Sequence, residues 1–314
     1  MSRSEPLVSV LALAYDHERF VEESLDAVAA QTFRDFELVI VDDCSTDSTG
    51  DRIRSWLDRT GFDATFIANE RNLGVSAARN VALERARGTF VCTAAGDDVY
   101  EPDRLEHQVA YFTSVGEEVA AIFGDMRVID EDGTPMPAEA QRWSGTAQPS
   151  GRIFDELLRG NFLPSPATML RRSAVEEVGG WDAELIVDDW DLFLRLADRY
   201  ELHHLPGVVA NYRQLDTGIS RDRARAAMRS ESVVRLQMKW SGRDDATRRQ
   251  VADRAWRSAM HVLELDRTAG QRLLSEVLTE DPTWSRRLQH RVASTPLAPL
   301  LVRFLRAVGH RIPR

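Results

Sequence analysis

The first 125 residues switch repeatedly between short β-branched runs and segments of helical spacing, and this alternation restricts the possible folds more than any other feature. Residues 7–13 read as a buried strand, after which Phe20, Val21, Ser24, Leu25 and Val28 recur at helical spacing. Residues 36–41 form a second expected strand, and Asp47 or Ser48 is placed to cap a helix carrying Ile53, Trp56 and Leu57. A third strand is expected at 64–68 and a helix at about 75–87, stopped by Gly88. Fourth and fifth strands are expected at 89–93 and 119–123, separated by a helix that Pro102 opens. Strand–helix alternation of this kind dictates an α/β fold with a mostly parallel sheet flanked by helices. Ligands of such sheets bind beyond the carboxyl ends of the strands. That rule selects Tyr15 and Asp16, Asp42 and Asp43, and the segment from Gly96 to Asp98.

The rest of the chain reads differently. Between about 126 and 220 the pattern is irregular, with a hairpin turn at 130–137, a short helix at 154–159 and a strand near 168–170. A strongly amphipathic helix follows at 189–199, then a strand at 208–212. From 221 onward only helical spacing appears, so the expected organisation is a body at 1–220 and an all-helical extension at 221–314. Charge divides at the same place. Residues 1–220 hold 20 Lys and Arg against 40 Asp and Glu, whereas 221–314 hold 20 against 10. An acidic body argues against nucleic acid as a partner, because phosphate backbones require clustered cations. Two cysteines, Cys44 and Cys92, make no disulfide framework, so a reducing cytoplasm is the expected setting. No apolar run approaches the ~18 residues that span a bilayer, and no signal sequence opens the chain.

Three acidic groups offer chemistry. Val39-Ile-Val-Asp-Asp-Cys-Ser-Thr-Asp47 sets two acids directly after a strand, where they suit a base edge and ribose hydroxyls or serve as turn residues. Thr93-Ala-Ala-Gly-Asp-Asp-Val-Tyr100 repeats the arrangement, and adjacent acids behind a glycine suit Mg²⁺ or Mn²⁺ shared with phosphates, or a solvated turn. Gly96 there lets the backbone approach a ligand closely. In Gly179-Gly-Trp-Asp-Ala-Glu-Leu-Ile-Val-Asp-Asp-Trp-Asp191 the last acids open a helix, whose dipole favours them. Asp191 reads as a capping acid, while Asp189 is also a candidate general base beside an acceptor hydroxyl. His203 and His204 read as ordinary strand residues. No Walker loop, dinucleotide fingerprint, nucleophile elbow or zinc helix motif is present.

Taken in order, these segments resemble the family 2 glycosyltransferases over about residues 6–215. Val8-Ser-Val-Leu-Ala-Leu-Ala-Tyr-Asp16 is similar to that family's opening strand, and Ala30-Gln-Thr-Phe-Arg-Asp-Phe-Glu-Leu38 followed by Val41-Asp-Asp-Cys-Ser-Thr-Asp47 to its signature. Asn72-Leu-Gly-Val-Ser-Ala-Ala-Arg-Asn80, Asp97-Asp98 with Pro102-Asp-Arg-Leu105, Gly179-Gly-Trp-Asp182 and Asp188-Asp-Trp-Asp-Leu192 fit as well. The resemblance implies the nucleotide-diphospho-sugar transferase (GT-A, Rossmann-like) fold, with residues 1–125 binding the nucleotide sugar and 126–220 facing the acceptor. It implies that Tyr15 stacks on the nucleobase, Asp43 bonds the base with support from Asp42, and Arg79 lies near the nucleotide. Asp97 and Asp98 would serve the metal and ribose, with Mn²⁺ or Mg²⁺ as cofactor, and Asp189 would be the base of an inverting transfer from a nucleotide-diphosphate sugar. The acceptor would be a carbohydrate, lipid-linked or other hydroxyl in glycoconjugate synthesis.

Departures from the pattern stand at three places. Ala95 replaces the first acid of the family's Asp-x-Asp, Leu13-Ala14 replaces Pro-Thr, and Tyr212-Arg-Gln-Leu215 lacks the histidine of Tyr-Arg-x-His. They leave room for a silent nucleotide-sugar binding module; a nucleotidyltransferase would need a Gly-rich phosphate loop that this chain lacks. From Arg286 onward there are seven Arg and no acid, and Leu297, Leu300, Leu301, Phe304, Leu305 and Val308 share one helical face. That segment is expected to contact an anionic membrane at its inner face, to make a homodimer, or to dock on the protein itself.

Overall fold

The structure is a computed structural model describing residues 5–136, 148–215 and 226–280. The chain divides into two compact units, Met1–Gly218 and Ile219–Arg314. In the first unit, β1 (Val8–Ala14), β2 (Phe36–Asp42), β3 (Ala64–Ala68) and β4 (Phe90–Ala95) pair in parallel, β1 lying between β2 and β4. Every residue of β1 is buried, as expected of a strand covered on both faces. The alternation of strands requires crossover helices: α1 (Val21–Ala29), α2 (Thr49–Thr60) and α3 (Val75–Leu83). Helix α1 buries Val21, Ser24, Leu25 and Val28, the stripe expected from the sequence. Asp26 on α1 accepts the indole N–H of buried Trp56 on α2 at 2.7 Å, and Gly61 closes α2 in the left-handed region at φ 62°.

The sheet continues as β7 (Thr168–Arg171), β6 (Val119–Ile129), β8 (Glu201–Arg213) and β5 (Val99–Tyr100). Strand β7 runs antiparallel to both β4 and β6, β8 runs parallel to β6, and β5 runs antiparallel to β8. Around it lie α4 (Arg104–Phe112), α5 (Phe154–Arg159), α6 (Arg172–Glu177) and α7 (Asp188–Ala197). Strand β8 begins well before the expected 208–212. Pro206 and Gly207 disguise it, since both residues argue against a strand. They lie where the β6–β8 register shifts, with Gly207 at φ 133°.

Gly88 was expected to stop a helix, but α3 already ends at Leu83. Its requirement is proximity: a Cβ there would stand 2.6 Å from the backbone carbon of Val8 and the nitrogen of Ser9. Gly88→Ala is therefore expected to cost about 1–3 kcal/mol as β1 and the chain leading into β4 are forced apart. A thermal melt checks this, and an unchanged melting temperature would refute the close-approach account.

The second unit contains α8 (Ala226–Lys239), α9 (Asp245–Leu265) and α10 (Arg267–Glu280) around Val234, Ala255, Trp256, Ala259, Val262, Leu273, Leu274 and Val277. Asp244 caps α9 by accepting the backbone N–H of Thr247 at 2.7 Å. Among the described residues no helix is long and apolar enough to cross a membrane. The basic, leucine-rich segment at 286–314 lies outside the described residues.

Candidate functional site

The parallel register brings the ends of the first strands level, Ala14 facing Asp42 and Leu13 facing Ala95. The chain leaves β1 toward β2 on one side while β4 lies on the other, so a crevice opens where the strand order reverses. Tyr15 sits there 39% exposed, one of few large apolar side chains left open to solvent among the described residues. Its loop is tied to the loop after β2. Asp16, at φ 53°, accepts the N–H of Thr46 at 2.7 Å, and Asp47 accepts those of Glu18 and Thr49 at 3.1 and 2.9 Å.

Asp42 and Asp43 are both buried but differ in use. Asp42 accepts the N–H and hydroxyl of Ser45, and its other oxygen leaves no room for a side chain at Gly50. Asp43 organises the loop after β3, accepting from the Asn69 amide at 2.8 Å, Leu73 N–H at 2.9 Å and Gly74 N–H at 2.8 Å. A carboxylate has about four acceptor positions, so these three bonds leave one for a ligand donor.

At the end of β4 the two acids turn different ways. Asp98 is buried, and its Oδ1 accepts the backbone N–H of Arg213 at 3.0 Å. Asp97 keeps solvent contact, with Oδ2 4.0 Å from Nε2 of His17. Burial raises the pKa of both; for Asp98 the neighbouring Asp97 charge adds to the rise, taking it well above the carboxylate range. A loop that holds two carboxyls out of water in this way favours a cation, beside which both can ionise. Arg213 supplies one fixed positive charge, donating to the carbonyls of Asp97, Asp130 and Glu131 and to the Glu23 carboxylate. Among the described residues no group of three or more His, Cys, Asp or Glu could hold a metal ion. What is present, one accessible carboxylate beside an imidazole, fits a divalent ion that takes its other ligands from water and substrate phosphates.

The third acidic group begins α7. Glycines at 179 and 180, with φ of 87° and 71°, form the turn before it. Asn80 on α3 holds that turn through both directions of one peptide-like pair, donating to the Trp181 carbonyl at 2.7 Å and accepting its N–H at 2.9 Å. Arg79, one residue earlier, donates to Asp188 at 2.6 Å and lies over the Trp181 ring. Asp189 is partly buried, accepting from the Asn161 amide at 3.3 Å and from Trp190 N–H at 2.7 Å. Burial and, next, the charge of Asp188 push its pKa up to about 6, against the opposing pull of Arg79. Asp191 is fully buried and pairs with Arg195, which donates to the carbonyls of Val178 and Gly180. It steadies the glycine turn through Arg195, where the sequence suggested a helix cap.

One run of contacts joins two of these regions. Asp43 holds Gly74, Gly74 opens α3, and α3 carries Arg79 to Asp188 beside Asp189. Arg79, expected near the nucleotide, thus has its guanidinium on the acid preceding the candidate base. His17, Asn69, Asn161 and the Arg213 side chain belong to the site without a role assigned by any sequence motif. Arg213 had a signal in its Tyr-Arg dipeptide; the other three had none.

An α/β sheet with an exposed tyrosine and acids at its switch point, and a raised-pKa aspartate beside the acid that Arg79 holds, is the arrangement that the family resemblance implies for a nucleotide-sugar transferase of the GT-A type. The chain belongs to glycosyltransferase family 2: the pattern of Glycosyl transferase family 2 matches residues 9–179, more than half of its length. It is similar to the putative teichuronic acid biosynthesis glycosyltransferase TuaG of Bacillus subtilis (strain 168), 26% identical over 75% of this chain and 90% of that protein. The putative glycosyltransferase EpsE of the same strain is 33% identical over 57% of this chain and 66% of its own. Among solved structures, S. aureus TarS 1–349 in complex with UDP-GlcNAc shares the fold with a TM-score of 0.66 at 20% identity, covering 95% of this chain and 86% of that one. The mannosyltransferase PcManGT from Pyrobaculum calidifontis, in complex with GDP-Man and Mn²⁺, gives 0.58 at 21% identity over 96% and 79%.

Proposed function

We propose that this glycosyltransferase inverts the anomeric centre of a nucleotide-diphosphate sugar, with Asp189 as general base toward an acceptor hydroxyl. The observation that carries the proposal is Asp189 itself. It retains some exposure, its pKa is pushed up to about 6, and its neighbour Asp188 is tied through Arg79 on α3 to the loop that Asp43 organises. A base titrating near the working pH combines a useful ionised fraction with real proton affinity. Tyr15 would stack on the nucleobase and Asp43 would accept a base or ribose donor through its remaining lone pair. Asp97, with its open carboxylate, would hold the cation, while inward-facing Asp98 would fix the loop. A bound divalent ion would neutralise charge on the diphosphate leaving group. Asp188, fixed by Arg79, keeps the Asp189 carboxylate basic, and Asn161 orients it.

The relatives suggest a uridine or guanosine diphosphate sugar as donor and a cell-envelope polysaccharide or lipid-linked glycan as acceptor. A cytoplasmic setting with peripheral membrane contact or dimerisation through the basic segment at 286–314 belongs to the same proposal. Ala95 favours one other reading, a module that binds nucleotide sugars without turnover.

The test is a thermal-shift panel of nucleoside diphosphates and their sugars with and without Mn²⁺, followed by product NMR with the donor that binds. A manganese-dependent shift and a product of inverted configuration are expected. A shift without turnover on any acceptor would select the silent module, and retained configuration would remove the single-displacement mechanism. Tyr15→Ala is expected to weaken binding of that nucleoside diphosphate by roughly 5- to 150-fold, the ~1–3 kcal/mol of a stacked base, with Tyr15→Phe near wild type. Calorimetric titration checks both, and an unchanged affinity in the alanine variant would place the base elsewhere.

A further inference from the structure

We infer that His17 is a ligand of the catalytic cation, standing in for the acid that Ala95 lacks, and that it turns the site toward Mn²⁺ rather than Mg²⁺. The inference rests on the proposed cation at Asp97. Three observations carry it. First, the His17 side chain has no hydrogen bond among the described residues: Nδ1 is buried and unpartnered, and Nε2, the nitrogen offered to the ion, lies 4.0 Å from Asp97 Oδ2, with Asp47 also within reach of its charge. The backbone of His17 is fully occupied, its N–H bonded to the Thr49 hydroxyl at 2.8 Å and its carbonyl accepting from Phe20 and Val21. A buried imidazole nitrogen without a partner ordinarily costs about 1–3 kcal/mol, a cost that no hydrogen bond of this side chain offsets.

Second, the spacing suits a shared ion. Two donors each about 2.1 Å from one metal lie between about 3.0 Å apart, at a right angle, and about 4.2 Å, on a straight line. The observed 4.0 Å between Nε2 and Asp97 Oδ2 falls inside that interval, so a side-chain turn that shortens it toward about 3.0 Å seats both on adjacent positions of one ion. Third, the neighbouring backbone is shaped to the ring. A Cβ on Gly96 would stand 2.7 Å from Nδ1, so glycine is the residue that lets the imidazole lie against the end of β4. The close approach expected of Gly96 is thus made to His17.

An imidazole in place of a carboxylate changes the site in two ways. It lowers the negative charge on the loop by one, and it supplies a nitrogen donor, which suits Mn²⁺ and later transition ions more than Mg²⁺. Asp97 and His17 would then make a mixed oxygen–nitrogen site, completed by the diphosphate.

The test needs no variant for its main arm. Full-length protein is loaded with Mn²⁺ and UDP, and in parallel with Mn²⁺ and GDP, and pulsed EPR reads nitrogen couplings to the metal. A ¹⁴N coupling is expected that becomes a ¹⁵N coupling when only the histidines carry ¹⁵N. His17→Ala is expected to lose that coupling and to bind Mn²⁺ at least 10-fold more weakly while Mg²⁺ affinity changes less than 3-fold. Gly96→Ala, which must displace the ring, is expected to fall between. Mn²⁺ bound with no histidine nitrogen coupling, its binding still abolished by Asp97→Asn, would overturn the role of His17 and leave the cation at Asp97 standing. No Mn²⁺ binding with either nucleotide would overturn both. A melting curve of each variant separates a lost ligand from a lost fold.

Discussion

Asp189→Asn is expected to lower turnover by about 10²–10⁴-fold, to leave nucleoside diphosphate affinity unchanged, and to raise the melting temperature at pH 7.5. The first two effects follow from the role of a base, which acts on the acceptor and touches no part of the donor's nucleotide. The third follows from linkage. Asp189 in the folded chain titrates near 6, above the ordinary value of 3.8, because burial and Asp188 disfavour its ionised form. The folded state therefore binds the proton more tightly than the unfolded one. The stability this gives is complete below about pH 4 and is lost as pH rises through 6. At neutral pH the ionised carboxylate stands as a cost on the order of 1–3 kcal/mol. Asparagine keeps an oxygen for the Trp190 N–H and removes the charge. Calorimetry at pH 7.5 and pH 4 checks the sign: the gain of the variant should be large at the first and nearly absent at the second. In the wild type, kcat should decline as pH falls below about 6. Undiminished turnover in the variant would remove Asp189 as base, and equal melting temperatures at pH 7.5 would remove the strain.

Local periodicity made the first half of the fold readable. Parallel strands covered on both faces are continuous apolar runs, and β1 and β2 are short, buried and separated by helices whose stripes match the observed buried residues. The second half is antiparallel in part, bulged, and interrupted by Pro206 and Gly207, so His203 and His204, read as strand residues, were not joined to the strand expected at 208–212. Two-residue β5 carried no strand signal, because its pairing with Asn211 and Ala210 comes from about 110 residues away. The acids of the site were legible because carboxylates at strand ends are few and positioned by the strands themselves. Their direction was not. Nothing in Asp97-Asp98 says that one faces solvent and the other an Arg213 N–H. Nor does Arg79 reveal that its partner is Asp188, 109 residues on. Contacts of that separation are decided by how the elements dock.

Arg213 supplies the other large effect, on stability and binding together. Its guanidinium, 2% exposed at the side chain, reaches Asp97 O at 3.0 Å, Asp130 O at 3.1 Å, Glu131 O at 3.0 Å and Glu23 Oε2 at 2.7 Å, and lies over the Phe20 ring. The same residue's backbone N–H holds Asp98. One side chain therefore joins α1, the loop after β4 and the hairpin turn after β6 to the end of β8. Alanine removes four hydrogen bonds and a charge that offsets Asp97 and Asp98, and leaves three carbonyls to find water or go unpaired. Exposed Glu23 regains solvent, which limits the loss, so about 2–4 kcal/mol is expected. That corresponds to a fall in melting temperature of roughly 5–15 °C. Lysine should recover little of it, because a single ammonium cannot reproduce a planar fork aimed at four acceptors. Below the melting transition Arg213→Ala should still bind Mn²⁺ with a nucleoside diphosphate at least 10-fold more weakly, since the loop bearing Asp97 has lost its anchor. Melting curves with calorimetric titration at low temperature separate the two effects. A variant as stable as wild type with full affinity would show that Asp98 and the β5–β8 pairing fix that loop without the Arg213 side chain.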